Sequence, residues 1–247
     1  MDSSGARRIQ MALFFIIGIA ALAAVFLLAS GGGDGGIRLF ASTQSRQTTL
    51  GSGRVGEGTV SDGKTAPARQ ADSVAAFTKK YGDPPDATYG RIRIPSISVN
   101  APLSYRAVTG SEMPEPSGPT DVAYYDMAKF PGMGGVPGGG GNSILAGHVD
   151  LRRPVAYAGN VEYQGPAVFW SLDKLRAGDI IEIDYKGKTY KYAVTAANEY
   201  NAESADWGKV WSSEVKKETL TLFTCGGTFN PETHEYSTRL VVRAERS

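Results

Sequence analysis

Residues 11–29 read MALFFIIGIAALAAVFLLA, nineteen positions without a charge. At a helical rise of about 1.5 Å per residue, such a run spans roughly 28 Å, close to the thickness of a bilayer's hydrocarbon core. No polar face interrupts it, which separates it from the amphipathic helices of a soluble core. It predicts a transmembrane anchor. Arg7 and Arg8 stand just before it. The positive-inside tendency therefore keeps residues 1–10 as a cytoplasmic tail and puts everything after the anchor outside the cell. A cleaved signal peptide is the alternative. Its apolar region usually runs about 7–15 residues, shorter than this one, although Ala29-Ser30-Gly31 would suit a peptidase.

Residues 30–87 read as a linker. Much of the stretch is Gly, Ser, Thr and Gln with few large apolar side chains. Such a segment buries too little surface to offset its ordering entropy and behaves as a flexible tether. Residues 72–81 (DSVAAFTKKY) carry one weak helical period and predict a short helix before the Pro84-Pro85 break.

From residue 88 the texture becomes that of short strands. RIRI (91–94), SILA (143–146), DIIEIDY (179–185), TYKYAVTA (189–196), TLTLFT (219–224) and LVVRA (240–244) are alternating or short apolar runs, with further pieces at 97–99 and 101–103. Lys186-Gly187 separates two of them as a hairpin turn. Only residues 171–175 and 207–215 suggest short helices. The pattern predicts a mostly β barrel or sandwich over 88–247, and roughly 160 residues suffice for one independent core. The glycine-rich run PGMGGVPGGGG (131–141) lacks the Gly-Lys-Ser/Thr ending of a phosphate cradle and reads as a flexible loop near His148.

A net charge of +1 with scattered Lys and Arg leaves no basic stripe, so nucleic acid is excluded as a partner. Acidic residues dispersed in loops make no calcium site; no metal or cofactor is expected.

The chain has one cysteine, Cys225. An exported protein cannot use a lone Cys for an internal disulfide, and a thiol outside the cell is oxidisable. One reading is an inert core residue. The other is a nucleophile, which needs a base or imidazolium partner and a positive group where an oxyanion forms. Of the two histidines, His148 follows the apolar run ILAG and is held by a strand end. His234 lies in the polar turn NPETH and reads as a surface loop residue. Strand parity puts Thr221, Phe223 and Cys225 on one face of the penultimate strand, and Arg239, Val241 and Arg243 on one face of the last. If those strands pair, Cys225 and Arg239 stand side by side. Arg239 could then donate to a developing oxyanion.

These residues resemble the sortase family of bacterial cysteine transpeptidases. The chain carries Thr-Leu-any-Thr-Cys as Thr221–Cys225, the His as His148 in AGHVD, and the Arg as Arg239 in YSTRLVVRA; RIRIP opens the similarity. Gly226-Gly227-Thr228-Phe229 after the Cys is similar to class F, with class E second. The resemblance implies an eight-stranded barrel with a rim groove. It implies a Cys225 thiolate attacking the Thr carbonyl of a C-terminal Leu-Pro-any-Thr-Gly-like signal, His148 protonating the leaving Gly amine, and Arg239 steadying the oxyanion. It further implies Thr224 as a residue shaping the substrate groove and the segment 201–215 as the loop holding the sorting signal. The partners implied are signal-bearing surface proteins and a peptidoglycan precursor or other amine acceptor, reached from a Gram-positive-type cell membrane. Two alternatives stay open at this point. One is another Cys-dependent cell-wall peptidase or transpeptidase. The other is a non-catalytic extracellular β domain.

Overall fold

The computed structural model describes residues 66–232 and 235–247. The expected anchor at 11–29 and most of the expected tether lie outside the described residues. Among the described residues no helix is long and apolar enough to cross a membrane.

Helix α1 (Ala66–Tyr81) starts six residues before the segment whose period predicted it. Ten strands follow: β1 (Gly90–Ile94), β2 (Val99–Ala107), β3 (Val122–Asp126), β4 (Asn142–Ala146), β5 (Asp150–Val155), β6 (Val161–Pro166), β7 (Ile180–Tyr185), β8 (Lys188–Asn201), β9 (Thr219–Asn230) and β10 (Glu235–Arg246). A one-turn helix α2 (Trp207–Trp211) sits between β8 and β9. Eight strands close a barrel in the order β1-β2-β3-β4-β9-β10-β8-β7, while β5 and β6 form a separate hairpin. The β2–β3 and β4–β9 pairs are parallel; the other barrel pairs are antiparallel. The expected mostly β, barrel-type fold class is therefore observed. Lys186 and Gly187 both take positive φ, at 48° and 74°, which gives the β7–β8 hairpin the two left-handed positions of a type I′ turn.

Side-chain alternation fills the barrel. Ile92, Ile94, Leu103, Val122, Tyr124, Leu145, Ile181, Ile183, Tyr192, Leu220, Leu222 and Val242 point inward and form one core. The opposite faces of β3, β4, β9 and β10 are apolar as well. Ala123, Tyr125, Ile144, Ala146, Phe223 and Val241 form a second cluster with Trp207, Val210 and Trp211 of α2. These strands are buried on both sides, which explains why SILA and TLTLF read as continuous apolar runs. Arg243 Nη2 and Asn142 Nδ2 donate to the Val210 carbonyl at 2.7 and 3.0 Å and fasten α2 onto this outer face. A smaller cluster packs Phe77 of α1 against Leu151 and Val155 of β5 and Tyr163 of β6.

The glycine-rich run departs from its expectation twice. It is densely bonded, where a flexible loop was expected. The Glu218 carboxylate accepts from Gly138 N–H at 2.8 Å, Gly140 N–H at 3.4 Å and the Tyr192 hydroxyl. Gly134 N–H donates to Trp211 and Ser213 N–H to Gly132. A Cβ on Gly138 would meet the Tyr190 ring at 1.9 Å, so the glycine there is needed for close approach. The run also leads into the start of β4, whereas His148 follows its end. Five residues of strand, about 3.3 Å each, separate them.

Glu218→Ala leaves two N–H groups and the hydroxyl of a buried tyrosine without their acceptor. It should lower unfolding free energy by about 1–3 kcal/mol, read as a lower urea midpoint, and open residues 131–141 to limited proteolysis. An unchanged midpoint and cleavage pattern would mean that Glu218 does not organise the loop.

Candidate active site

The outer face built by β4, β9 and β10 carries the three expected side chains at one end. β9 and β10 pair antiparallel with Cys225 and Arg239 as direct Cα partners. β4 and β9 pair in parallel with Ala146 opposite Phe223. The chains stay level beyond that point. Gly147 N–H donates to the Phe223 carbonyl at 3.3 Å, and the Thr224 hydroxyl donates to the Gly147 carbonyl at 2.8 Å. Two residues past the Ala146–Phe223 pair, His148 therefore stands level with Cys225, on strands about 4.8 Å apart. Parity gives His148, Cys225 and Arg239 the face that Ala146, Phe223 and Val241 share. The three residues, 77 and 14 positions apart along the chain, thus share one end of this face. His234 lies outside the described residues.

Thr224 corrects an expectation. It is only 3% exposed and points to the opposite face from Cys225. With its hydroxyl committed to Gly147, it does not line a groove. It clips the end of β4 to β9 and so fixes His148 relative to Cys225.

Cys225 is half-buried, not sealed in the core. Tyr125 and Tyr236 are close enough that a charge on its sulfur raises both phenols' pKa, although burial is the larger cause in each; Tyr236 is pushed up to about 12. Tyr236 donates to Asp150 Oδ1 at 2.9 Å, which ties β10 to the start of the β5–β6 hairpin. Arg239 is 7% exposed. Its Nη1 donates to the carbonyls of Tyr236 and Thr238 at 2.9 and 3.0 Å. A guanidinium carries five N–H donors, and these bonds use those of one nitrogen. The arrangement can hold a positive fork beside the sulfur.

His148 Nε2 is buried and has no hydrogen-bond partner among the described residues. Burial pushes the imidazole's pKa below the ordinary histidine value, and Arg153 adds to that; Glu115, Asp121 and the Pro116 backbone oppose it. Glu115, Pro116, Asp121, Arg153 and Tyr236 were not picked out from the sequence. GSEMPEPSGP (110–119) carries only turn chemistry as a string, and nothing in it announces charges that act on a histidine some thirty positions on. A cavity of about 430 Å³ lies between α1 and β1–β2, bordered by Val74, Thr78, Arg91, Asn100 and Val168, and none of the site residues borders it. The site is an open rim. Among the described residues no cluster of His, Cys, Asp and Glu is placed to hold a metal ion.

Thr224→Val keeps the shape and removes the clip. It should cost about 1–3 kcal/mol because the buried Gly147 carbonyl loses its donor, measured by chemical denaturation against the unaltered protein. A variant of unchanged stability would show that the clip contributes nothing.

Among curated protein sequences none matches the chain. Three solved structures are similar at low identity. Sortase A from Corynebacterium diphtheriae is 22% identical, over 76% of this chain and 71% of that one, with a TM-score of 0.47. Sortase C-1 from Actinomyces oris is 22% identical over 73% and 98%, at 0.45. A sortase D5 transpeptidase from Clostridium perfringens is 20% identical over 71% and 88%, at 0.44. Membership rests instead on sequence: the family model described as the sortase domain matches residues 92–247, more than half of the chain. The chain belongs to the sortase family of cysteine transpeptidases, which process surface proteins.

Proposed function

We propose that this protein is a membrane-anchored sortase that cleaves a Leu-Pro-any-Thr-Gly-like sorting signal between Thr and Gly and joins the Thr carbonyl to an amine of the cell envelope. The observation that carries the reading is the direct pairing of Cys225 with Arg239 across β9 and β10, with His148 two residues beyond the end of neighbouring β4, in a sortase-family domain.

The Cys225 thiolate attacks the Thr carbonyl. The C–S bond forms and the carbonyl electrons move to oxygen, where Arg239 stabilises the oxyanion. Collapse breaks the peptide C–N bond, and His148 as imidazolium gives its proton to the departing Gly amine. A thioester remains on Cys225. The acceptor amine attacks it, His148 takes the amine proton, and the thiolate leaves. Arg239 fits its role because its position is fixed by backbone bonds and it is largely shielded from water, where a charge acts over a lower dielectric.

The segment between the sixth and seventh barrel strands, which contains α2, forms one wall beside the site and is the proposed seat of the sorting signal. The anchor at 11–29 would hold the domain at the outer face of the membrane of a Gram-positive-type cell. A Gly/Ser-rich coil spans about 5–6 Å times the square root of its length, so the tether would let the domain sweep the nearby envelope. The Gly226–Phe229 continuation favours a class F-like assignment over class E.

Because burial lowers the His148 pKa, the imidazole is mostly neutral near pH 7. The ion pair is then a minority form with the same total number of protons as the neutral pair. Protonation of the imidazole while the thiol is intact removes both forms, so kcat/KM should fall on the acid side with a midpoint below about 6.5. An acid midpoint at or above that value would contradict the buried imidazole.

With a fluorogenic sorting peptide and hydroxylamine as acceptor, Cys225→Ala should abolish turnover. His148→Ala should lower it by about 10²–10⁴-fold and Arg239→Ala by about 10²–10³-fold. Near-normal turnover in all three variants would sink the assignment.

A further inference from the structure

Tyr236 is bonded to both flanks of the strand that carries Cys225. Its hydroxyl donates to Asp150 Oδ1 at 2.9 Å, and Asp150 stands two residues after His148. Its carbonyl accepts at 2.9 Å from Nη1 of Arg239, the residue paired with Cys225. A β-bulge gives Tyr236 this reach. Past the Cys225–Arg239 pair, the β9–β10 register runs from Thr238 opposite Gly226 to Tyr236 opposite Phe229. β9 thus takes one residue more than β10 over the step, and such a bulge re-aims the side chains beside it. Gly227 has φ +75°, and a Cβ there would meet Ser237 Oγ at 2.5 Å, so the bulge requires its glycine. The Phe229 ring packs against the Tyr236 ring, 5.1 Å between centroids. The Asp150 end is anchored as well. The Gly147 carbonyl accepts from Thr224, the His148 carbonyl from Phe169 N–H at 3.0 Å and the Val149 carbonyl from Ala167 N–H at 2.9 Å. The Asp150 side chain is 19% exposed, and its second oxygen faces Arg152 Nε at 3.8 Å.

In the barrel β9 lies between β4 and β10, so Cys225 stands between the segment that follows β4 and the strand that bears Arg239. Strand register sets Arg239 against Cys225, but β4 ends at Ala146 and its ladder does not reach His148. A side-chain bond from β10 to Asp150 spans that gap. We propose that Tyr236 is a positioning residue: its hydroxyl on Asp150 and its carbonyl on Arg239 hold the guanidinium and the His148 segment at a fixed spacing across the end of β9. Loss of the hydroxyl bond releases the Tyr236 backbone, and the guanidinium bonded to that backbone shifts with it. Arg239 keeps its second bond, to the Thr238 carbonyl, so the group is re-aimed and not lost. The proposal rests on the sortase reading for its meaning in catalysis, but the field that Arg239 sets up at the sulfur is measurable without a substrate.

The test is alkylation of the full chain, in detergent micelles, by neutral iodoacetamide and by anionic iodoacetate. Cys225 is the chain's single cysteine, so both rates report on that sulfur. Both reagents draw on the same thiolate, so its population cancels in the ratio of the rates, while a guanidinium beside the sulfur favours the anion. Tyr236→Phe removes the hydroxyl and keeps the ring and the carbonyl. The iodoacetate-to-iodoacetamide ratio should fall about twofold or more, toward the value of Arg239→Gln. Asp150→Asn and Asp150→Ala both remove a charge, but only Asn keeps an oxygen that can accept from Tyr236. Asp150→Ala should therefore give the lower ratio, and adding Tyr236→Phe should lower the ratio of the Asn variant but not that of the Ala variant. With the sorting peptide, Tyr236→Phe should lower kcat about tenfold and leave KM within about twofold, because spacing between reacting groups acts in the transition state. A ratio unmoved by Tyr236→Phe overturns the proposal, and so does an equal effect of that change in the Asn and Ala variants. If the ratios behave as described but the unaltered protein cleaves no sorting peptide, the proposed function fails and the positioning stands. If the peptide is cleaved and Tyr236→Phe changes neither kcat nor the ratio, the positioning fails and the proposed function stands.

Discussion

The site depends on one parallel pairing, that of β4 with β9, and on the bond that carries it past the strand ends. Parallel neighbours are joined by long crossovers, so nothing in the local chain brings residue 148 to residue 225. The register does, through Ala146 opposite Phe223, and the Thr224 hydroxyl on the Gly147 carbonyl keeps that register to the rim. The antiparallel ladder of β9 and β10 then adds Arg239. Cys225 and Arg239 are placed by backbone hydrogen bonds between paired strands, which hold positions more tightly than loops do, and His148 follows directly on a strand end. Thr224 works from the far side of the sheet, where a hydroxyl bonded to a buried carbonyl is both satisfied and hard to replace.

A barrel with one apolar face per strand would leave these groups in water. The outer faces of β3, β4, β9 and β10 are instead covered by α2 and by Met113 and Met127. That second layer makes the rim partly dry. Low dielectric strengthens each charge placed there and raises the penalty for any left unbonded. The bonds follow that logic. Asp121 is fully buried and accepts three hydrogen bonds. Arg239 is nearly buried and gives its Nη1 to two carbonyls. His148 keeps one nitrogen for chemistry, and its neutral form is favoured.

What could be read from the chain divides along the same physical line. Alternation in RIRI, DIIEIDY and TYKYAVTA marked β1, β7 and β8 because each has one buried and one wetter face. Parity on the last two strands put Cys225 and Arg239 on a shared face, since a period of two fixes orientation without knowledge of the partner. β3 (VAYYD) escaped notice because it is buried on both faces and so does not alternate. β5 and β6 contain Pro154, Gly165 and Pro166, residues that weaken a strand reading, and they pair only with each other, where proline is tolerated. The glycine-rich run looked mobile because its order comes from Glu218, about eighty residues later. Thr224 was misjudged because the motif identifies the residue but not which side of the sheet it faces.

Under the proposed function, the depressed imidazole protects the lone cysteine outside the cell. Oxidation of a thiol follows its thiolate character and its access to oxidant. A pair that rested as thiolate and imidazolium would be permanently reactive. Under the proposed function, an imidazole whose burial disfavours its proton makes the ion pair a small fraction in equilibrium with the neutral pair. Glu115 and Asp121 act against burial and raise that fraction above what burial alone would leave. Strengthening them would raise turnover and oxidation together, since both draw on the same thiolate. Under the proposed function, the balance between burial and Glu115 is therefore a compromise between rate and survival, and the half-buried position of Cys225 at a dry rim is where such a compromise can be held.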